Sequence, residues 1–356
     1  MGKNVLVLFG GVSPEHEISK ESAANVVLAL NGHTVIPVYI TKQGKWLMYD
    51  GKIDNIQTIN WEKFGTPAIL SPDRVNKGLL RVVSGKFRAV PVDVVLPVLH
   101  GPNGEDGTIQ GLCELAGIPC AGCGTAASAI AMDKSIIKQF VKGLKIPQAE
   151  YLGFGADEIA ADTPAVLKKI RYKIGYPCFV KPAKGGSSIG ISKVANKKEL
   201  EAAIESALTF SSKIVVEKAI TGREIEVGIL GEGITAQASV PGEVLSAGDD
   251  FYDFEAKYAN PESRTVVPAD ISQETAVQIQ AYALEIFRAI GGSGLSRADF
   301  FLDENGRIFF NELNTLPGFT PISMYTQMWE ESGVPRQKLI ESLIEIALRD
   351  AYAGGI

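Results

Sequence analysis

The segment LSRADFFLDENGRIFFNELNT, residues 295–315, concentrates side chains able to do chemistry. LSRADFFL and RIFFNELN read as strands, and Asp303-Glu304-Asn305-Gly306 reads as a hairpin turn. Side chains on a strand alternate faces. A connecting loop of two or four residues would therefore set Arg297 and Asp299 on one face with Phe310, Glu312 and Asn314. Two carboxylates and an amide oxygen suit a hard divalent cation such as Mg²⁺, with phosphate oxygens completing the shell. An odd loop would split the set. The bland alternative is an ion-pair face with Arg297 opposite Glu312.

Five other stretches could serve the same chemistry. In FVKPAKGGSSIGISK (179–193) a strand delivers Lys181 to a loop containing Gly185, Gly186, Ser187 and Ser188. Backbone N–H groups and hydroxyls there could cradle phosphate. The spacing excludes a Walker P-loop, and an ordinary mobile hairpin is the competing reading. In VVEKAITGREIEV (215–227) Glu217 ends a strand, with Glu224 and Glu226 nearby. Carboxylates can accept from an amino group or from ribose hydroxyls, or simply be solvated. In LHGPNGEDGTIQG (99–111) His100 leaves a strand just before a helix whose N-terminus is a natural anion site, with Asp106 as a candidate cap. In GGVSPEHEIS (10–19) Glu15 and Glu17 lie at the exit of the first strand. One could be a helix-terminal charge and the other a partner for an ammonium group. GDDFYDFEAKYANPES (248–263) is a loop unusually rich in aromatics around Lys257.

Several elements must position these groups. Over residues 1–124 strands and helices alternate: NVLVLF (4–9), a helix over 18–30, TVIPVYI (34–40), DVVLPVLH (93–100) and a helix over 107–117. The unbroken apolar strands predict a parallel sheet of Rossmann type. No G-x-G-x-x-G follows the first strand, so nothing indicates a dinucleotide. Residues 41–90 read as hairpins or an insertion. From 125 onward helices (134–143, 163–174, 197–208, 272–292) mix with short strands and hairpins in an α+β pattern of two lobes.

Composition narrows the function class. With 356 residues, 46% of them hydrophobic, the chain can build two or three cores. A net charge of −6 argues against a broad nucleic-acid or anionic-membrane surface. No apolar run approaches the ~20 residues of a membrane span, and the N-terminal run ends in glycines without a signal-peptide cleavage site. Cys113, Cys120, Cys123 and Cys178 read as reduced, buried thiols. The lone Cys120-x-x-Cys123 is a weak zinc or redox signal.

The motifs GGVSPEHEIS, LHGPNGEDGTIQG, AMDK, FVKPAKGGSSIGISK, FYDFEAKY, RADFFLDENG and NELNTLPGFTPISM stand in the order seen in D-alanine–D-alanine ligases. The resemblance runs from residue 3 to 348 and identifies the chain as a member of the ATP-grasp superfamily. It implies an α/β and α+β molecule, an ATP-grasp fold behind an N-terminal Rossmann-like domain. The expected divisions are 1–124 with the first-substrate site, 125–215 as the central lobe, and 216–356 as the C-terminal lobe with the metal site and a lid over 246–263.

The resemblance also implies roles. Lys134, Lys181 and Lys257 would hold the phosphates of ATP, Glu217 the adenine amino group and Glu224 the ribose. Asp299, Glu312 and Asn314 would bind two Mg²⁺ ions, with Mn²⁺ as a substitute. Glu17 would hold the ammonium of the first D-alanine, with His100 close by. Arg297 and the Gly318 N–H would form an oxyanion site, and Ser323 and Met324 would seat the second D-alanine. Tyr258 would reach Ser187 and Glu17 from the lid. A cytoplasmic homodimer is expected from the family. The tyrosine loop disfavours D-lactate as second substrate. A D-alanine–D-serine ligase of the vancomycin-resistance type stands as the alternative, and a non-catalytic ATP-binding protein of the same fold as the reading from another class. Thr326 stands where relatives often carry Pro, and the 41–90 segment is longer than in shorter members.

Overall fold

The computed structural model describes residues 2–53, 56–245 and 264–354. The run NVLVLFG forms β1 (Asn4–Gly10), whose residues Val5 to Phe9 are almost wholly excluded from solvent. A strand buried on both faces needs neighbours on both edges. β1 has them in β2 (Thr34–Ile40) and, further along the chain, β7 (Val94–Val98), both parallel to it. Gly10, the last residue of β1, and Gly11 have φ of +89° and +95°, which turn the chain sharply toward the helix His16–Ala29.

Residues 41–90 extend this sheet. β3 (Trp46–Met48), β4 (Thr66–Leu70), β5 (Gly78–Val83) and β6 (Lys86–Pro91) add antiparallel strands, giving the order β6-β5-β4-β3-β2-β1-β7. Helix His16–Ala29 and the last helix, Arg336–Gly354, cover one face. Leu339, Ile340 and Leu343 there join the core of Val5, Val7 and Val94. Helix Thr108–Ala116 covers the other face.

The second sheet is antiparallel, in the order β10-β9-β11-β8. Its strands are β8 (Tyr151–Gly155), β9 (Cys178–Pro182), β10 (Ser192–Val194) and β11 (Lys213–Lys218). Helices Thr163–Lys173 and Lys197–Leu208 pack on one side of it. The third sheet runs β15-β14-β12-β16-β17, from β12 (Arg223–Glu232), β14 (Gly242–Leu245), β15 (Arg264–Val266), β16 (Ser293–Leu302) and β17 (Ile308–Asn314). A two-residue strand, β13 (Gln237–Ala238), pairs antiparallel with β12. Helices Thr125–Met132, Lys134–Gly143 and Gln273–Ala289 fill the core beneath this sheet. Residues 125–143 therefore pack with the third sheet although they precede the second in the chain.

One feature of the β16–β17 hairpin decides the site. Leu302 pairs with Ile308, so the connection is the five residues 303–307, an odd number. The Asp303 carboxylate holds it by accepting from the N–H groups of Asn305 and Arg307 at 3.0 and 2.8 Å. In that register Phe310 lies opposite Phe300, and both rings face the core, 5.9 Å apart and edge-on. The expectation that Phe310 shares a face with Asp299 is thus incorrect. A β-bulge at Asn311 then shifts the ladder by one residue, so that Glu312 meets Asp299 and Asn314 meets Arg297. The bulge restores the grouping that the odd loop alone would have broken.

Candidate active site

Three carboxylates lie in a row across the third sheet. Glu226 on β12 pairs with Asp299 on β16, and Asp299 pairs with Glu312 on β17. Like charges directly opposite one another repel, so the row needs cations. Arg297 supplies one. Its Nε and an Nη atom donate to the two Asp299 oxygens at 2.8 and 2.7 Å, and Nε lies 3.1 Å from Glu226. Burial works against the guanidinium charge, but Asp299 and then Glu226 outweigh it and hold the pKa above its usual value. Lys134 supplies the second cation, 3.1 Å from Glu312. Carboxylate oxygens of Glu224, Glu226 and Asp299 come within 4.8 Å of one another. With Glu312 added, four carboxylates stand close to Arg297 and Lys134 among the described residues, a set of hard oxygens that fits a divalent ion. Asn314 turns its amide oxygen to the Leu316 N–H at 3.0 Å.

Beside this row lies a cleft of about 450 Å³ between the second and third sheets, within the range of small-molecule sites. Lys181, Glu217, Glu224 and the loop 186–188 line it. Glu217 is buried between two lysines: one oxygen is 3.1 Å from Lys181, the other 3.3 Å from Lys138. Burial would raise its pKa, yet Lys138 and then Lys181 bring it below the ordinary value. Lys134 donates to the Gly185 carbonyl at 3.0 Å, so one ammonium ties the glycine loop to Glu312. Ser187 and Ser188 have φ of +49° and +58°, a left-handed turn that non-glycine residues seldom adopt.

A second cavity continues toward the first sheet and is lined by Glu15, His100, Glu105, Arg297, Gly318 and Ser323, among others. Glu15 corrects the expectation for Glu17. Glu17 begins the helix on its solvent side; its side chain is 62% exposed, and it pairs with Lys20 at 2.8 Å and Lys42 at 3.1 Å. Glu15, two residues earlier and just outside the helix, is 8% exposed and accepts the Ser187 hydroxyl. Its carboxylate reaches the cavity because two glycines leave room. A Cβ on Gly101 (φ +68°) would stand 2.5 Å from a Glu15 oxygen, and one on Gly186 3.0 Å. The Ser187–Glu15 bond clips the glycine loop onto the first sheet's carboxyl edge.

His100 is buried, with Nδ1 donating to the Leu316 carbonyl at 3.1 Å and Nε2 3.4 Å from the Ser22 hydroxyl. Burial lowers its pKa, which favours neutral imidazole. Beside it Glu105 accepts the Gly101 N–H at 2.9 Å. Burial, then the Glu15 charge, pushes its carboxyl up to about 8. Gly318 approaches Ser323 so closely that a Cβ would lie 2.8 Å from the serine oxygen. That oxygen accepts the Thr320 N–H at 2.9 Å. Ser323 immediately precedes the helix Met324–Glu331, and the Met324 side chain is buried in the cavity wall.

Most of the residues singled out from sequence thus converge on two adjoining cavities; Glu17 does not. Lys257 and Tyr258 lie outside the described residues. Glu105, Lys138 and Asn311 were missed; Glu15 and Glu226 were noticed as carboxylates beside Glu17 and Glu224 but were assigned no role of their own. The alternation REIEV (223–227) could have put Glu226 on the face of Glu224, but its pairing with Asp299 depends on register. The cysteines take no part: all are unbridged, and burial pushes the Cys123 thiol up to about 12.

The model of the D-ala D-ala ligase N-terminus matches residues 4–123, and that of the D-ala D-ala ligase C-terminus matches residues 140–345. A D-alanine–D-alanine ligase of Acetivibrio thermocellus is 47% identical, covering 98% of this chain and 96% of its own. Among solved structures, the VanG D-Ala:D-Ser ligase of Enterococcus faecalis superposes with a TM-score of 0.88 at 38% identity, covering 98% of this chain and 100% of its own. The D-alanine–D-alanine ligase of Coxiella burnetii does so at 0.87 and 31%, covering 99% and 96%.

Proposed function

The chain belongs to the D-alanine–D-alanine ligase family, and from that premise we propose how its own residues perform the ATP-dependent joining of two D-alanines for peptidoglycan synthesis. A carboxylate is a poor acyl donor. Phosphoryl transfer from ATP makes the first D-alanine an acyl phosphate, and the second D-alanine's amine then displaces phosphate. In the first step two anions approach, so cationic groups must stand between them.

The observation that carries the reading is the row Glu226–Asp299–Glu312 with Arg297 and Lys134 on it, facing Glu15 across one cavity. Lys134 and Lys181 hold the phosphates, Glu217 accepts from the adenine amino group and Glu224 from the ribose. Asp299, Glu312 and Asn314 hold the divalent ions, two Mg²⁺ (or Mn²⁺), which supply charge neutralisation for phosphoryl transfer. Glu15 holds the first ammonium, with neutral His100 beside it. Arg297 and the Gly318 N–H stabilise the oxyanion. The N-terminus of the Met324–Glu331 helix, with Ser323, meets the second carboxylate. Lys257 and Tyr258, which lie outside the described residues, keep the phosphate and tether roles that the resemblance implies, and the acyl phosphate must be kept from water. We propose a cytoplasmic homodimer as the working form. Among the described residues no helix is long and apolar enough to cross a membrane.

The test is release of ADP and phosphate by the purified chain with Mg²⁺ and D-alanine, with the dipeptide identified. Turnover that appears only when D-serine is added would assign it instead to the second substrate class of the VanG neighbour. Nucleotide binding without product from a panel of D-amino acids would leave a non-catalytic protein.

A further inference from the structure

Lys138 takes no part in the mechanism above, yet among the described residues it is the most deeply buried lysine. It sits on the helix Lys134–Gly143, one turn after Lys134, and is 0% exposed. Its Nζ lies 3.3 Å from one Glu217 oxygen and 5.5 Å from the centre of the Tyr151 ring. The contact with Glu217 is an ion pair without hydrogen-bond alignment. Burial draws the ammonium's pKa below its usual value, and the Glu217 charge offsets part of that fall. A methionine or leucine could fill such a place without that cost, so the charge calls for a reason.

Glu217 provides one. Its second oxygen is held by Lys181, whose Nζ also lies 3.4 Å from Asn311. Lys181 thus has two calls on it: the carboxylate now, and a phosphate in the nucleotide complex. If it moved alone, Glu217 would be left buried and uncompensated, and the pair would resist opening. With Lys138 behind it, the carboxylate keeps a countercharge, and the cluster carries one net positive charge toward the polyphosphate.

We propose that Lys138 is a positioning residue for nucleotide selection. It anchors Glu217 while Lys181 transfers to phosphate, and so sets the preference for adenine, which offers an amino donor where guanine offers a carbonyl. This rests on the ATP-site reading given above.

The experiment measures ADP affinity by calorimetry, without turnover, and KM for ATP, GTP and D-alanine. Lys138→Met should weaken ADP binding and raise KM for ATP by about tenfold or more, narrow the ATP-over-GTP preference and leave KM for D-alanine in place. Lys138→Arg should restore most of the loss. Lys138→Met combined with Glu217→Gln, which leaves no unpaired buried charge, should bind ADP no more weakly than Glu217→Gln alone. A folded Lys138→Met with wild-type ADP affinity and base preference would overturn the proposal. So would a double variant in which the two losses multiply, and that variant decides the matter if Lys138→Met does not fold. Failure of the unmodified chain to bind ADP would instead remove the ATP-site reading itself.

Discussion

Glu15 and Glu17 stand two residues apart in one motif, and exchanging each for glutamine separates a working carboxylate from a solvated one. Glu15→Gln keeps shape and volume and removes the charge. The Ser187 hydroxyl can still donate to the amide oxygen, so the glycine loop stays clipped. What goes is a charge-assisted bond to the first ammonium, worth about 1.5–3 kcal/mol net, or roughly 10–100-fold in affinity. KM for the first D-alanine should rise by that factor while KM for ATP changes little. Glu17→Gln removes only ion pairs to Lys20 and Lys42 on a 62% exposed side chain. Lys20's hydrogen bond, ahead of Lys42, draws its pKa down to about 2, so any stabilisation is present above the ordinary carboxylate range and is lost as pH falls toward 2. Solvent screening keeps it to ~0–1 kcal/mol, and D-alanine kinetics should not move. The assay is ADP release at saturating ATP over a D-alanine series. Wild-type kinetics for Glu15→Gln together with a raised KM for Glu17→Gln would refute the assignment and the burial argument behind it.

Arg297→Ala should lower turnover by ~10²–10³ through loss of an oxyanion donor. It should also lower the melting temperature, with Mg²⁺ recovering more stability than in the unmodified chain because Asp299 and Glu226 lose their countercharge; equal Mg²⁺ responses would count against the shared-carboxylate account. Glu105 is held protonated in the fold up to about 8, so its stabilising effect is full below the ordinary carboxylate pKa and is lost as pH rises through 8. Glu105→Gln, which can still accept the Gly101 N–H, should flatten the fall in melting temperature between pH 5 and 8, read by thermal denaturation of the unliganded chain; an unaltered slope would remove Glu105 as its source. Gly101→Ala forces a side chain into a left-handed backbone and against Glu15, and should cost ~1–3 kcal/mol and raise KM for D-alanine; unchanged denaturation midpoints would show that the cavity wall yields.

The legible parts of the chain were those where a local pattern determines a local outcome. Apolar runs gave β1 and β11, and the periodic helices over 134–143 and 197–208 start at Asp133 and Asn196, whose side chains accept the first N–H groups. Grouping Arg297 with Asp299 needed only alternation. The partner set across the hairpin did not follow, because two irregularities offset one another. Asp303 stabilises a five-residue loop that alternation alone would disallow, and the Asn311 bulge resets the register. Neither has a residue type that announces it. Glu15 was passed over for a related reason. Whether a residue sits just before a helix or in its first turn decides which way it points, and sequence locates helix starts only to within a residue or two. Lys138 was invisible because a lysine on a helix reads as solvated until the carboxylate beneath it is known.

The distribution of charge explains how so polar a site can fold. Among the described residues, each cation assigned to the proposed reaction already has a carboxylate: Arg297 has Asp299, Lys134 has Glu312 and Lys181 has Glu217. Without these pairs three buried or half-buried cations would each carry a desolvation cost of several kcal/mol. In the proposed reaction the same groups take other partners, the cations phosphate and oxyanion, the carboxylates metal. Binding therefore exchanges partners in place of burying new charge. Such an exchange runs smoothly only if the group left behind is still compensated, and the residues that see to this are the auxiliary ions, Glu226 beside Arg297 and Lys138 beside Glu217. The site is built as pairs plus spares, and it is the spares that distinguish a cluster made to change partners from one made only to hold the sheets together.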